Sequence, residues 1–216
     1  MTSSAPLTFG LVDARPVFMD LTDDSYFMLE PEDEAEFLEL IATGRRTMAS
    51  SSSLQQALGT CQWIKCSECE RPQRSLTEEL GSGARTSIVD AARAAVLLRS
   101  TRRAITRQPI EDVLGGLTAH IGPPADHSDC QLALAMRFIT ARRLVPIKPN
   151  CLLDSIALVR WLGEAAADAS LVFGVKLAPF AAHCWVQNDA ALLNDLPDHV
   201  GRFEPVRVIR CSAPTR

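Results

Sequence analysis

The chain has 216 residues, of which 47% are hydrophobic and 22% are charged, a composition that excludes a disordered protein and allows a sizeable core. It contains no apolar run of about 18 residues, the length that a membrane helix needs. Residues 1–10 lack the basic region and apolar stretch of a secretory signal. We therefore expect a cytoplasmic protein, and its seven cysteines, an odd number, are typical of reduced thiols.

Charge divides the chain near Gly44. Residues 1–44 contain ten acidic residues and one basic residue, Arg15, whereas residues 45–110 contain eleven basic and five acidic residues. The acidic first segment disfavours binding to a phosphate backbone there. The later arginines at 99, 102, 103 and 107 lack interleaved aromatic residues, which favours a solvated face or a surface for a partner protein.

The first segment alternates short apolar runs with turn residues. Strands are predicted at residues 7–12, 17–21 and 26–29, with a polar turn at 22–25. A helix is predicted to begin at Pro31, because proline suits a first helical position and carboxylates follow it in the first turn. Further helices are predicted at 54–58 and between residues 60 and 80.

The stretch 81–83, Gly-Ser-Gly, reads as a polar joint between two domains, residues 1–80 and 84–216. Beyond it, helical spacing of apolar residues predicts helices at 88–98 and 132–144. The pairs Gly115-Gly116 and Pro123-Pro124 are interpreted as loops between helical pieces.

Cys151 is the first candidate catalytic residue. Asn150 is a favourable N-cap, and Cys151 with Ser155 and Leu158 follows helical spacing, so the thiol is predicted to lie in the first turn of a helix. The positive end of the helix dipole lowers the pKa of a thiol there, which suits a nucleophile. The alternative is a buried structural cysteine, the commoner fate of this residue type.

His183 and Asp195 complete the candidate site. His183 lies in a run of strand composition at 180–186, and a second strand is predicted at 190–193 after a turn at 188–189. In such a hairpin His183 and Asp195 are neighbours, which gives nucleophile, base and orienting carboxylate for acyl transfer. The backbone amides of Cys151 and Leu152 are candidate donors to an oxyanion. Trp185 either covers the site or packs in the core.

These residues resemble a known family, the B proteins (leader peptidases) of lasso peptide biosynthesis, which have a transglutaminase-like, papain-like cysteine protease core. The resemblance rests on residues 150–158, 171–175, 179–186 and 193–195. It implies an α+β fold, a triad of Cys151, His183 and Asp195, and removal of a leader from a ribosomally made precursor peptide. The chain departs from the family where Asp154, Cys184 and Gln187 stand in place of the usual Arg, Ala and Glu.

The N-terminal segment resembles the winged-helix-like recognition element of such pathways, with three strands and three helices. The likeness implies that an extended leader adds as a strand along the edge formed by Tyr26, Phe27, Met28 and Leu29. It also implies a partner cyclase, similar to asparagine synthetase, that closes the macrolactam. Some fused members depend on ATP, but no Gly-rich phosphate loop is present in this sequence.

Two other readings remain open. A non-catalytic scaffold that delivers a precursor peptide to another enzyme would keep the same fold, and acyl transfer between side chains would use the same triad.

A metal site is weakly indicated by Cys61, Cys66 and Cys69, with His127 and Cys130 as a further pair, because only Cys66 and Cys69 have zinc-ligand spacing. The loop thiols are more simply interpreted as incidental, so no metal is expected.

Overall fold

The structure, a computed structural model, describes residues 7–43, 52–58, 63–66, 69–79, 87–118 and 128–211. The strands are β1 Leu7–Val12, β2 Arg15–Asp20, β3 Ser25–Met28, β4 Trp63–Lys65, β5 Ala169–Leu177, β6 Phe180–Gln187 and β7 Glu204–Cys211. The helices are α1 Pro31–Thr43, α2 Ser52–Leu58, α3 Leu76–Glu79, α4 Ile88–Arg107, α5 Ile110–Thr118, α6 Ser128–Arg142, α7 Cys151–Leu162 and α8 Pro197–Val200, with a 3-10 helix at Gly163–Ala166. Two separate sheets with packed helices confirm the predicted α+β class.

The first sheet has the strand order β3-β2-β1-β4, with β4 parallel to β1 and the other pairs antiparallel. Its strand β2 reads Val-Phe-Met at residues 17–19, and all three residues are buried. Alternate side chains of a strand point to opposite faces, so both faces of this sheet must be covered. On one face Phe9 and Phe18 pack against Phe37 of α1 with ring centroids 5.0 and 5.1 Å apart.

The other face of the first sheet packs against the rest of the chain. Val12, Val17 and Met19 lie in the same apolar cluster as residues of α7 and β5. Strand β1 approaches β7 so closely that a Cβ added at Gly10 would lie 2.3 Å from the carbonyl oxygen of Pro205. Only glycine fits such an approach, and the first sheet is therefore packed directly on the second.

The second sheet has the order β6-β5-β7, all antiparallel, and β6 is an edge strand. Helix α7 packs between this sheet and α4, and most of its side chains are buried. Its Trp161 is anchored by a 3.0 Å hydrogen bond from Nε1 to the Leu134 carbonyl and by Arg93, which lies 4.2 Å from the centre of its ring. This packing places the first residue of α7, Cys151, beside β6.

Two sequence predictions are wrong and a third is met only in part. The helix expected between residues 60 and 80 is present as the four-residue α3, and earlier in the same stretch β4 forms instead, because Trp63 packs on Phe9 and the amide of Cys66 bonds to the Phe9 carbonyl. The strand expected at 190–193 forms only isolated bridges from Leu192 to Gln187 and Ser75. The pair Gly115-Gly116 lies inside α5, where both glycines are exposed to solvent.

Several predicted features lie outside the described residues: the joint at 81–83, the loop prolines at 123–124, Cys61, and His127. Within the described ranges, no helix combines the length and the apolar character that a membrane crossing requires.

Candidate active site

Cys151 is the first residue of α7, and the helix start is capped from within its own sequence. The Oδ1 atom of Asn150 accepts a 2.9 Å hydrogen bond from the Leu153 amide. A hydrogen bond with His183 is the main cause that lowers the pKa of the Cys151 thiol. Burial opposes this shift, while the charge of His183 and the amides of Cys184 and Leu152 add to it. The partners of Cys151 thus favour its thiolate form.

His183 lies between Cys151 and Asp195. Its Nε2 atom forms a short hydrogen bond with Oδ2 of Asp195. Burial alone would lower the pKa of His183, but the hydrogen bonds with Asp195 and Cys151, together with the charges of these two residues, raise it to about 9. Burial alone would raise the pKa of the Asp195 carboxyl. Hydrogen bonds from His183, the Leu196 amide and His199 have the larger effect, and the pKa of Asp195 is lowered. The arrangement favours a thiolate and imidazolium pair held by a carboxylate.

A second histidine contacts the same carboxylate. Nδ1 of His199, in α8, lies 2.9 Å from Oδ1 of Asp195, and its ring centre lies 4.5 Å from that of His183. Possible ligand atoms of His183, Asp195 and His199 therefore lie within 4.8 Å of one another. Hydrogen bonding accounts for both contacts of Asp195, and we assign this group no metal.

A buried polar network ties α7 to β6 below the thiol. Ser155 donates a 3.0 Å hydrogen bond to the carbonyl of Cys184, whose amide faces Cys151. Asn194 donates to the Ser155 hydroxyl at 2.9 Å and accepts from the Val186 amide at 2.8 Å. The Asn194 side chain and the 2.8 Å hydrogen bond from the Leu193 amide to the Val186 carbonyl together attach this segment to β6, and Asn194 directly precedes Asp195.

The segment before α4 also contacts the loop that carries Asp195. Ser75 donates a 2.6 Å hydrogen bond from Oγ to the Asp195 carbonyl, and the Leu76 amide bonds to the carbonyl of Leu192 at 3.0 Å. Ser75 is buried. Residues from the first 80 of the chain therefore help to fix the position of Asp195.

Asp154, a departure from the family pattern, holds the loop that leads to Cys151. Its carboxylate pairs with Arg142 of α6 at 2.7 Å, and Arg142 also donates to the carbonyls of Val145 and Ile147. The Asn150 amide reaches Asp154 at 3.3 Å.

The predicted substrate-binding residues fall in two groups. The indole of Trp185 has no exposed surface, stacks on His183 at 5.8 Å and donates from Nε1 to Gln187 at 2.7 Å, so core packing describes it. Phe27 and Leu29 face α1, and Phe27 stacks on Phe18. Only Tyr26 and Met28 of this strand point toward the catalytic part.

Comparison with known protein families identifies the superfamily of the chain. The family model described as "Transglutaminase-like superfamily" matches residues 92–208, which contain Cys151, His183 and Asp195. The chain belongs to this superfamily.

A stretch of 51 residues is 43% identical to the microcin J25-processing protein McjB of Escherichia coli, covering 24% of this chain. The matched stretch is also 24% of McjB, so the chain spans about a quarter of the length of that curated relative. No solved structure matches the chain. The predicted resemblance to lasso B proteins is confirmed by the two matches, and the N-terminal recognition element is not.

The sequence analysis missed the supporting residues of the site. Ser155 was recognised only as part of a helical stripe, and Asn194 and His199 were not assigned, although each flanks Asp195 closely in sequence. The Cys184 amide has no signal in the sequence at all, because a backbone donor does not depend on the side chain that carries it. A hydroxyl at i+4 from a helix-start cysteine is the one local signal that was available.

Proposed function

We propose that this transglutaminase-like protein is a cysteine endopeptidase with Cys151 as nucleophile, His183 as base and Asp195 as orienting residue. The observation that carries the proposal is the chain of contacts from the thiol through His183 to Asp195, with the pKa of Cys151 lowered and that of His183 raised. A structural cysteine does not require a histidine and a carboxylate beside it. The neighbouring Cys184 is such a buried cysteine, and burial raises the pKa of its thiol well above normal, whereas the pKa of Cys151 is lowered.

The geometry supports a two-step reaction. The Cys151 thiolate attacks the scissile carbonyl, and the His183 imidazolium gives its proton to the leaving amine as the C–N bond breaks. The neutral imidazole then removes a proton from water, which attacks the thioester; the C–S bond breaks, and the acid product and the Cys151 thiolate are released with His183 again an imidazolium. Asp195 keeps the ring oriented in both steps and stabilises the imidazolium.

The proposed substrate is the leader of a lasso precursor peptide, cut before a partner cyclase closes the macrolactam. The match to a protein named for microcin J25 processing supports this substrate class. We further propose that residues 1–80 bind the leader and residues 84–216 cleave it. The open edge strand β3 supports this division, because a peptide can pair with the free backbone groups of such an edge.

The testing experiment mixes the purified protein with the precursor peptide encoded beside its gene, with and without cyclase and ATP, and follows products by mass spectrometry. We expect a single cut that Cys151→Ala abolishes and that Asp198→Asn, an exposed carboxylate near the site, leaves intact. Cleavage by the Cys151→Ala protein would refute the triad.

A non-catalytic peptide-binding scaffold is the second candidate, favoured by the same open β3 edge. It predicts tight binding of the peptide without any cut under all of these conditions. Side-chain acyl transfer, the third reading, predicts a product with the mass of a joined peptide and amine, which the same spectra detect.

A further inference from the structure

Among the described residues, an edge strand of the first sheet contacts an edge strand of the second. Strand β3 ends the first sheet and β6 ends the second. Tyr26 of β3 contacts Phe180 of β6 edge to face, with ring centres 6.2 Å apart and planes at 62°. This contact joins the part of the chain proposed to hold the leader to the strand that carries His183.

Tyr26 reaches the catalytic centre as well as Phe180. In the β2–β3 register it pairs with Met19, on the sheet face that packs against the catalytic part. Burial raises the pKa of its phenol, and the charges of Cys184, Asp24 and Cys151 add to this shift. The Tyr26 phenol therefore lies in the electrostatic neighbourhood of both thiols, on the face of the first sheet that packs against the apolar cluster containing Cys151.

Phe180 is a large apolar side chain at the exposed end of β6. It retains 54% of its surface in contact with solvent, whereas residues 184–187 at the other end of β6 are buried. It precedes His183 by three residues, roughly 10 Å along a strand, and it lies on the opposite face of β6 from His183, the face that also carries Cys184. A large aromatic side chain left open at this distance from a catalytic histidine is a candidate contact for substrate.

The relative position of these two rings is fixed by packing. The backbone contact between Gly10 and Pro205 holds the first sheet on the second, and Ser75 bonds to the Asp195 carbonyl. The first sheet is therefore held in place against the part of the chain that carries Cys151, His183 and Asp195, in addition to any role as a tethered recognition module.

We propose that Tyr26 and Phe180 form an aromatic subsite, shared by the two sheets, that holds an apolar or aromatic side chain of an extended peptide passing from the β3 edge to Cys151. The inference rests on the proposed peptidase activity and adds a specificity element to it. Edge-to-face contact with a third ring or an aliphatic side chain is the interaction that this pair offers to a ligand.

The test uses the full chain and an equimolar library of short unstructured peptides, with cut sites and rates read by mass spectrometry. We expect the wild type to prefer an apolar residue at one fixed position relative to the cut. Phe180→Ala and Tyr26→Ala should both lose this preference and lower kcat/KM about tenfold for the preferred peptides. Tyr26→Phe keeps the ring and should behave as wild type.

The matched control is Ile64→Ala, because Ile64 is 48% exposed on β4, at the opposite edge of the same sheet. It should leave preference and rate unchanged. Because Phe180 is exposed, its variant tests the subsite even if Tyr26→Ala unfolds. An unchanged preference in folded Phe180→Ala protein overturns the subsite while leaving the peptidase proposal intact; a wild type that cuts neither the library nor the precursor overturns the proposed function itself.

Discussion

Two adjoining regions of this molecule are stabilised in different ways. The candidate catalytic region, made of α7, β6 and the loop to Asp195, combines apolar packing with a network of side-chain hydrogen bonds, among them Ser155 to Cys184 and Asn194 to Ser155. The first sheet is held by apolar packing on both faces, with a cluster of aromatic rings under α1. Polar networks fix geometry closely and depend on each partner, whereas apolar packing tolerates local change.

The difference teaches where a substitution acts. In the catalytic region a removed partner should change the chemistry before it changes the fold. In the first sheet a changed volume should alter stability and the position of β3, and only through these the reaction.

The largest expected effect is that of Asp195→Asn. The amide keeps the shape but no longer stabilises the imidazolium of His183 by its charge, so kcat should fall by up to about ten-thousandfold, the loss known for a Ser-His-Asp triad. Steady-state kinetics on the precursor peptide measures this, with Asp198→Asn as the control. A fall of less than about tenfold would mean that Asp195 does not orient the base.

The pH profile should show the next effect. The reactive pair needs a pH above the lowered pKa of Cys151 and below that of His183, about 9. The rate of alkylation of Cys151 by iodoacetamide, read by peptide mass, should therefore already be high well below pH 8, while Cys69, whose pKa is raised mainly by burial, stays unreactive. Activity should fall as the pH rises through about 9, because the imidazolium then loses its proton.

Asp195→Asn sharpens this test. Removing the carboxylate removes a cause that raises the pKa of His183, so the alkaline limb of kcat/KM should move to lower pH. The same linkage applies to folding. The stability that His183 contributes is complete below its unfolded pKa near 6.5 and is lost as the pH rises through about 9. If the alkaline limb did not move, the Asp195 carboxylate would not be a cause of the raised pKa of His183.

A smaller effect is expected from Ser155→Ala, which probes the network directly. The change leaves the Cys184 carbonyl and the Asn194 amide without their buried partner, which costs about 1–3 kcal/mol of unfolding free energy. The rate per folded molecule should fall about tenfold, since Cys184 and Asp195 shift together. Ser100→Ala, on the exposed face of α4, is the control for loss of a hydroxyl. If Ser155→Ala and Ser100→Ala had equal effects on the rate, the hydrogen-bond network would not contribute to catalysis.

The sequence predicted the parts that depend on local signals. The cap at Asn150, the helix start at Pro31 and the strand Leu7–Val12 are each determined by a few consecutive residues. The closeness of His183 and Asp195 was expected for a partly wrong reason. The segment after β6 returns as predicted, but isolated bridges at Leu192, one backbone bond from Leu193 and the Asn194 side chain hold it in place of a regular strand.

The parts that were not predicted depend on contacts between distant residues. Strand β4 has three residues, too few for a periodic pattern, and pairs with β1 more than fifty positions earlier. The apolar run at 17–19 shows that both faces of β2 are buried but carries no information about what covers each face. The packing of the first sheet on β7 could therefore not be predicted from the sequence. The same holds for the contact of Tyr26 with Phe180.

The smallest effect on the reaction, and the sharpest test of the sheet contact, is expected from Gly10→Ala. Its Cβ would lie 2.3 Å from the Pro205 carbonyl oxygen, so β1 and β7 must separate, at a cost of about 1–3 kcal/mol in unfolding free energy. Chemical denaturation measures this loss. Cys151, His183 and Asp195 should keep their contacts, so cleavage of a minimal peptide should change little.

Gly116→Ala is the matched control for this change, because an added Cβ there meets nothing within 4 Å. Alanine favours a helix over glycine, so this variant should be stabilised by up to about 1 kcal/mol, the opposite sign. If both variants were equally stable, the two sheets would not be in fixed backbone contact. The first sheet would then act only as a tethered module, and Tyr26 would have no fixed place beside Cys151.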